Sequence, residues 1–223
     1  MRRNGFDAAR NPVLRPLDTI ECRDAVLGED GTRADWPEAD AIIGKPPFLG
    51  NKKMIRELGE DYTTALRKAW PEVPGGVDLV CYWFAKAWAM IVSGRAKRTG
   101  LVATNSIRGG ANRAVLRPIV EHGCILEAWS DEEWTVEGAA VRVSLVCFDG
   151  RVGGTARLNG QDVSRVLPDL TADASDVDLT AAGRLAQNAD LSFMGVTKSG
   201  PFDIDGTTAR RFLTAVGNPH GRP

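Results

Sequence analysis

An apolar run that ends abruptly at two prolines constrains the fold of this chain more than any other feature. Residues 41–43 have the character of a buried strand, and Pro46 and Pro47 then prevent both ladder pairing and an immediate helix. The chain therefore leaves the strand through a rigid loop that ends at Phe48. In open α/β sheets, ligands bind at the carboxyl ends of the strands. An aromatic ring held there on a stiff backbone can act as a stacking platform.

The rest of the first 150 residues predicts strands and helices that alternate, as in an α/β sheet. The predicted strands are residues 19–22, 39–43, 100–104, 124–129 and 141–148, and the predicted helices are residues 54–69, 78–92 and 112–121. The helix over residues 78–92 is unusually apolar, so its stripe from Cys81 to Trp88 is predicted to be core. Apolar and polar residues alternate from Val141 to Phe148, which predicts a half-exposed or edge strand in a late antiparallel pair.

The character of the sequence changes after Gly150. Residues 151–223 are rich in turn-forming residues and only weakly apolar. We therefore predict two regions, an α/β domain over residues 1–150 and a turn-rich C-terminal extension over residues 151–223.

Composition narrows the class of protein without identifying a partner. A total of 28 lysines and arginines against 29 acidic residues gives a net charge of -1, which neither indicates nor excludes nucleic acid. The four cysteines are widely spaced without a CxxC pair, so we predict buried free thiols and no metal site. There is no signal-peptide pattern and no apolar stretch long enough to span a membrane. We therefore expect a soluble cytoplasmic protein with no membrane partner.

Five segments in a fixed order carry a family resemblance. They are residues 17–25, 41–50, 78–84, 100–110 and 138–144. Together they resemble the S-adenosylmethionine-dependent adenine-N6 DNA methyltransferases, specifically the large MmeI-like restriction–modification proteins. Residues 191–204 look like the piece that joins the catalytic domain of that family to its target-recognition domain. The resemblance implies an incomplete Rossmann-like methyltransferase sheet with an antiparallel edge strand, in which residues 1–150 are part of the catalytic domain.

The resemblance also implies a mechanism for the proline-rich loop. Double-stranded DNA is the expected partner, and the target adenine must leave the duplex before its amino group can be methylated. Phe48 is expected to stack on the extruded base. In the family, the residue before the two prolines and the carbonyl of the first proline accept hydrogen bonds from the adenine amino group. Lys45, Pro46, Pro47 and Phe48 are therefore the predicted catalytic residues.

Further positions follow from the same resemblance. Asp24 matches the acidic residue that accepts a hydrogen bond from the adenine of S-adenosylmethionine, and Ala25 is expected to offer its backbone N–H beside it. Asp24 has an alternative interpretation, because an aspartate after a strand often caps a turn. Trp134 corresponds to a second aromatic residue against the extruded base, although an ordinary surface anchor is the alternative for it.

Two groups of basic residues are candidates for contacts with DNA phosphates. Lys52 and Lys53 follow the proline-rich loop, and Arg108 and Arg113 flank a Gly-Gly turn after the strand at residues 100–104. Backbone phosphate contacts fix the register of a protein on DNA, so basic side chains beside a base pocket suit that role. Solvated surface positions are the alternative for all four.

Lys45 departs from the family pattern, which has asparagine, aspartate or serine before the two prolines. A protonated lysine has three donors and no acceptor, so it cannot take the hydrogen bond from the adenine amino group. Its positive charge also opposes the charge that develops on the reacting nitrogen. The sequence therefore predicts that this chain methylates DNA very poorly or not at all.

A second departure concerns the cofactor site. The family has a glycine-rich loop that cradles the methionine part of the cofactor, and no such loop precedes Thr19. We therefore expect an incomplete S-adenosylmethionine site and an upstream methyltransferase half or fused domains as partners. A non-catalytic DNA-binding remnant, or a split subunit that needs such a partner, is the alternative function. An RNA or protein methyltransferase is disfavoured, because the flanking segments match the DNA family.

Overall fold

A mixed six-stranded sheet organises the first of two compact units, residues 1–180. The computed structural model describes residues 19–136, 138–172 and 204–215. The strands are β1 (Ala39–Gly44), β2 (Ala96–Thr104), β3 (Cys124–Val136), β4 (Ala139–Asp149), β5 (Ala156–Leu158) and β6 (Gln161–Val163). They lie in the order β1-β2-β4-β3-β5-β6, with β1 parallel to β2 and β4 antiparallel to both of its neighbours. The predicted α/β class with mixed strand directions is confirmed.

The described part of the chain contains five α-helices, of which the last belongs to the second compact unit. They are α1 (Asn51–Leu58), α2 (Glu60–Ala69), α3 (Cys81–Val92), α4 (Arg117–His122) and α5 (Gly206–Leu213). The single helix predicted over residues 54–69 is wrong, because Gly59 adopts a φ of 89° and divides α1 from α2. The helix predicted over residues 112–121 is also divided, since Pro118 is accommodated only in the first turn of α4.

Helix α3 packs its aromatic residues against the sheet. Phe84 is fully buried and stacks on Phe148 of β4, with 5.9 Å between the ring centroids. Trp88 contacts the same ring at 6.5 Å. Cys81 and Tyr82, at the start of the helix, are also buried. The prediction that the stripe from Cys81 to Trp88 is core is therefore confirmed.

Strand β4 lies inside the sheet and not at its edge. The alternation along residues 141–148 is misleading, because Ser144 is fully buried and its hydroxyl donates to the Ser130 carbonyl at 2.7 Å. Arg142 is solvated for a different reason. The last pair between β2 and β4 is Thr104 with Val143, so residue 142 lies beyond the end of β2. The antiparallel direction was predicted correctly and the position in the sheet was not.

One edge of the described sheet is formed by β1, and β6 lies at the other. Among the described residues β2 is its only strand partner. The strand forms where it was predicted, but the prediction that it is buried is wrong, because none of its six residues is buried and Ile43 is 88% exposed. Asp40 at the start of this strand forms an ion pair with Lys97 of β2.

The segment before β1 is a loop whose backbone carbonyls accept hydrogen bonds from two indole groups. The Trp36 Nε1–H donates to the Ala25 carbonyl at 2.6 Å, and the Trp70 Nε1–H donates to the Val26 carbonyl at 3.0 Å. The Lys86 ammonium donates to the Ala34 carbonyl, and burial lowers the pKa of Lys86. The strand predicted over residues 19–22 is absent, because these four side chains are exposed and have no face to bury.

The second compact unit spans residues 181–223, of which residues 204–215 are described. Helix α5 begins after Asp205, whose Oδ1 accepts hydrogen bonds from the backbone N–H groups of Thr207 and Thr208. The predicted joining piece, residues 191–204, lies outside the described residues except for Ile204. Within the described ranges no helix is both long and apolar enough to cross a membrane.

Candidate active site

The proline-rich loop occupies the carboxyl end of β1. Because β1 and β2 are parallel, their carboxyl ends meet at the same edge of the sheet. Pro46 is buried, Lys45 and Pro47 are exposed, and Phe48 is half-buried. The four predicted catalytic residues are therefore contiguous at the edge where ligands bind in open α/β sheets.

Phe48 lines a cavity of about 730 Å³ beside the start of α1. The remaining lining residues are Leu49, Gly50, Asn51, Lys52, Lys53, Glu57, Gly76 and Asp78. A separate cavity of about 360 Å³ lies along the edge strand and is lined in part by Lys45, Pro46 and Pro47. An aromatic wall with two lysines suits a planar base attached to a phosphate backbone.

Lys45 packs directly on Phe48. Its Nζ atom lies 4.3 Å from the centroid of the Phe48 ring, within the range of a cation–π interaction. The ammonium therefore covers one face of the ring.

Asp24 caps a turn, as the alternative interpretation proposed. Its Oδ1 accepts hydrogen bonds from the backbone N–H groups of Val26 and Leu27, both at 2.8 Å. Its Oδ2 accepts from the Tyr62 hydroxyl at 2.6 Å. Burial, followed by this hydrogen bond, raises the pKa of Tyr62. The neighbouring Ala25 uses its carbonyl to hold Trp36. A carboxylate has about four lone-pair positions, and its contacts with the described residues use three of them, which leaves one on Oδ2.

Trp134 lies on the part of the β3–β4 hairpin that extends beyond the end of β2. It pairs with Val141 and is 37% exposed. Within the described ranges it makes no ring contact with Phe48. At the base of the hairpin, Asp131 accepts hydrogen bonds from Asn105, which follows β2, and from Arg142. Arg142 lowers the pKa of Asp131.

The structure brings only one of the two basic groups to the cavity. Lys52 and Lys53 are exposed in the first turn of α1 and line the same cavity as Phe48. Arg108 and Arg113 follow the neighbouring strand β2. Arg108 donates to the Ser130 carbonyl at 3.5 Å, and the Arg113 backbone N–H donates to the Gly109 carbonyl at 3.3 Å.

Sequence reasoning missed a polar network behind the loop. The Asp78 carboxylate accepts hydrogen bonds from the Asn51 backbone N–H, the Ser106 hydroxyl and the Asn112 amide. The sequence places Asp78 at the start of an apolar helix and in a segment of the family resemblance, without a role of its own. In the structure α3 begins at Cys81, which leaves the Asp78 side chain for other contacts. The described residues contain no group of three His, Cys, Asp or Glu side chains that could hold a metal.

Comparison with known proteins identifies one family. The model of the MmeI DNA-methyltransferase domain matches residues 16–158, which is more than half of the chain. No protein of curated function matches the chain in sequence.

Three of the solved structures that resemble this chain come from restriction–modification systems. The type IIL restriction–modification enzyme MmeI in complex with DNA has 25% identity over 61% of this chain, with a TM-score of 0.49. A modification subunit of a putative type I restriction enzyme from Vibrio vulnificus YJ016 has 15% identity over 57% of the chain, with a TM-score of 0.36. A type I system has 16% identity over 52%, with a TM-score of 0.33. The chain spans 20%, 25% and 23% of these three structures, respectively.

Proposed function

Because the chain belongs to the family of MmeI DNA-methyltransferase domains, we propose that it is catalytic-domain sequence of a site-specific adenine-N6 DNA methyltransferase. The observation that carries the proposal is the position of Phe48. It follows two prolines at the carboxyl end of β1 and lines a cavity of about 730 Å³ together with Lys52 and Lys53. A restriction–modification protein is the expected context, and double-stranded DNA is the expected substrate.

S-adenosylmethionine supplies an electrophilic methyl group when it is bound. Asp24 fits one contact with this cofactor, because a lone pair on Oδ2 stays available beside the Tyr62 hydroxyl. We propose that this lone pair accepts from the amino group of the cofactor's adenine. The Ala25 backbone N–H is the second proposed contact.

The loop residues bind and orient the substrate adenine in this proposal. The base leaves the duplex and stacks on Phe48, while Lys52 and Lys53 contact phosphates. The Pro46 carbonyl accepts one hydrogen bond from the adenine amino group. Lys45 cannot accept the other, and its ammonium covers a face of Phe48. We therefore expect slow methyl transfer by this chain.

Analysis of the modified base tests the proposal. Plasmid DNA of mixed sequence offers many sites, so the recognition sequence need not be known. The protein, joined to an upstream methyltransferase half that completes the cofactor site, is incubated with S-adenosylmethionine and this DNA. The nucleosides of the DNA are then separated by mass spectrometry. N6-methyldeoxyadenosine is the expected product. Methylated cytosine, or no product from either the natural chain or a Lys45→Asn variant, contradicts the proposal.

A non-catalytic role in DNA binding is the second candidate function. The contact between Lys45 and Phe48 favours it, as does the β1 edge, where β2 is the only described strand partner. Titration calorimetry with S-adenosylmethionine separates the two functions. A split subunit is expected to bind the cofactor only after an upstream methyltransferase half is added, whereas a catalytic domain binds it alone.

Removal of the Phe48 ring is expected to weaken binding of unpaired bases. A short single-stranded oligonucleotide is the suitable probe, since its bases can stack without leaving a duplex. We expect Phe48→Ala to cost about 1–3 kcal/mol of binding free energy, measured by fluorescence anisotropy. Phe48→Tyr keeps an aromatic face and serves as the control, with affinity close to that of the natural chain. Equal affinity of Phe48→Ala and the natural chain contradicts a stacking role.

Neutralising the two lysines of α1 is expected to change the salt dependence of DNA binding. For Lys52→Gln combined with Lys53→Gln, the slope of log K against log salt is expected to fall by about 1.8 on duplex DNA. Lys97→Gln is the matched control, because Lys97 is exposed near the amino end of β2 and pairs with Asp40. An unchanged slope in the double variant shows that these lysines do not contact phosphates.

A further inference from the structure

Asp78 joins three segments that are far apart in sequence. Its Oδ1 accepts from the Asn51 backbone N–H at 2.9 Å, just after the proline-rich loop. Its Oδ2 accepts from the Ser106 hydroxyl at 2.8 Å and from the Asn112 amide at 2.7 Å, both in the segment after β2. Because a carboxylate accepts only, the Ser106 proton points toward Asp78, and Thr104 donates to Ser106 at 2.7 Å.

Asn112 holds Asp78 by a reciprocal pair of hydrogen bonds. The Asn112 Oδ1 accepts from the Asp78 backbone N–H at 2.8 Å, while its Nδ2 donates to the Asp78 carboxylate. Asn112 is only 8% exposed, and its Nδ2 also donates to the Ser106 carbonyl at 3.3 Å. A buried amide with its donors and acceptor used in this way fixes the orientation of its partner.

The same network fixes the backbone immediately after Phe48. The Leu49 carbonyl accepts from the Leu79 backbone N–H at 2.9 Å, and Asp78 holds the N–H of Asn51. The Asn51 side chain in turn accepts from Arg67 of α2 at 3.0 Å. Two prolines stiffen the chain before Phe48, so the backbone is constrained on both sides of the ring.

From this geometry we propose that Asp78 is a positioning residue, which holds the loop so that the Phe48 ring receives a base. The proposal rests on the function proposed above, because that function assigns a base to Phe48. Asp78 acts through Asn51 and the loop backbone. Asn112 is its partner, and it ties the loop after β1 to the segment after β2.

Two measurements distinguish this role from general stabilisation of the fold. Hydrogen exchange reports on the backbone N–H groups of residues 48–53 against those of α3. The fluorescence of 2-aminopurine in a single-stranded oligonucleotide, at saturating protein, reports on the base. The quantity compared is the change in 2-aminopurine fluorescence that the natural chain produces and the Phe48→Ala variant does not. A side chain that only stabilises the fold lowers the melting temperature and leaves this saturated signal unchanged.

We expect Asp78→Asn to speed exchange in residues 48–53 about tenfold or more, with exchange in α3 unchanged. The Phe48-dependent fluorescence signal is expected to fall by about half or more. In this variant the side chain at position 78 has one acceptor oxygen, so it cannot accept from both the Asn51 backbone N–H and the Asn112 amide, and one of these donors then faces another donor. Asp61→Asn is the matched control, because Asp61 is an exposed carboxylate in the first turn of α2. It is expected to change neither signal.

A double variant in which the two residues are swapped separates loss of the contact from a folding defect. Asp78→Asn combined with Asn112→Asp restores one donor and one acceptor across the contact, so it is expected to recover most of both signals. Unchanged exchange in residues 48–53 of Asp78→Asn overturns the proposal, as does an unchanged fluorescence signal. If the natural chain has no Phe48-dependent signal, the proposed function fails. The exchange measurement then decides by itself whether Asp78 holds the loop.

Discussion

Replacing Lys45 by asparagine is expected to raise the rate of methyl transfer to DNA by a factor on the order of 10²–10³, once the cofactor site is complete. The asparagine side-chain oxygen supplies the acceptor that the lysine lacks. The substitution also removes the positive charge of lysine from the site where positive charge develops on the reacting nitrogen. Incorporation of a tritiated methyl group into plasmid DNA measures the rate.

Lys45→Met is the control that separates these two causes. Methionine removes the charge at a similar side-chain length, but it supplies no effective acceptor for the amino group. We expect it to recover much less activity than Lys45→Asn. If Lys45→Asn is no more active than the natural chain, position 45 does not limit catalysis.

Removing the Phe84 ring is expected to destabilise the fold by about 3–5 kcal/mol. Phe84 is fully buried on α3 and stacks on Phe148, so truncation leaves a cavity between this helix and the sheet. Chemical denaturation of Phe84→Ala, followed by the far-ultraviolet circular dichroism of the chain, measures the loss of unfolding free energy.

Val92→Ala provides the comparison on the same helix. Val92 is 68% exposed at the end of α3, so its truncation removes little buried surface. We expect a change within about 0.5 kcal/mol. A loss of less than about 1 kcal/mol in Phe84→Ala means that the ring contributes little to the core.

The sequence predicted two elements correctly in type, but only one of them in burial, because β1 has no buried residue. The apolar run before the two prolines forms β1, and the apolar helix through Phe84 covers the sheet. The proline-rich loop was also predicted at the carboxyl end of a strand, because proline restricts the backbone wherever it occurs. These signals are local, so a single sequence contains them.

Other features depend on contacts between distant residues. The local sequence of β4 is typical of an edge strand, with Ser144 at a position expected to be solvated. In the structure the Ser144 hydroxyl is buried and donates to the Ser130 carbonyl, a contact that the local sequence does not predict. Asp78 lies 27 residues from Asn51 and 34 from Asn112 along the chain. The contact of Lys45 with Phe48 depends on a side-chain conformation that sequence spacing does not determine.

The edge of β1 at which no described strand pairs has a consequence for colloidal stability. An edge strand presents unpaired backbone groups, and an exposed isoleucine such as Ile43 adds apolar surface for chain-to-chain strand addition. Proteins counter this hazard with gatekeeper charges, and lysine is among the commonest. Lys45 follows β1 directly and is exposed. The residue that we propose to impair catalysis thus also carries a charge that opposes aggregation, so Lys45→Asn is expected to gain activity and lose solubility.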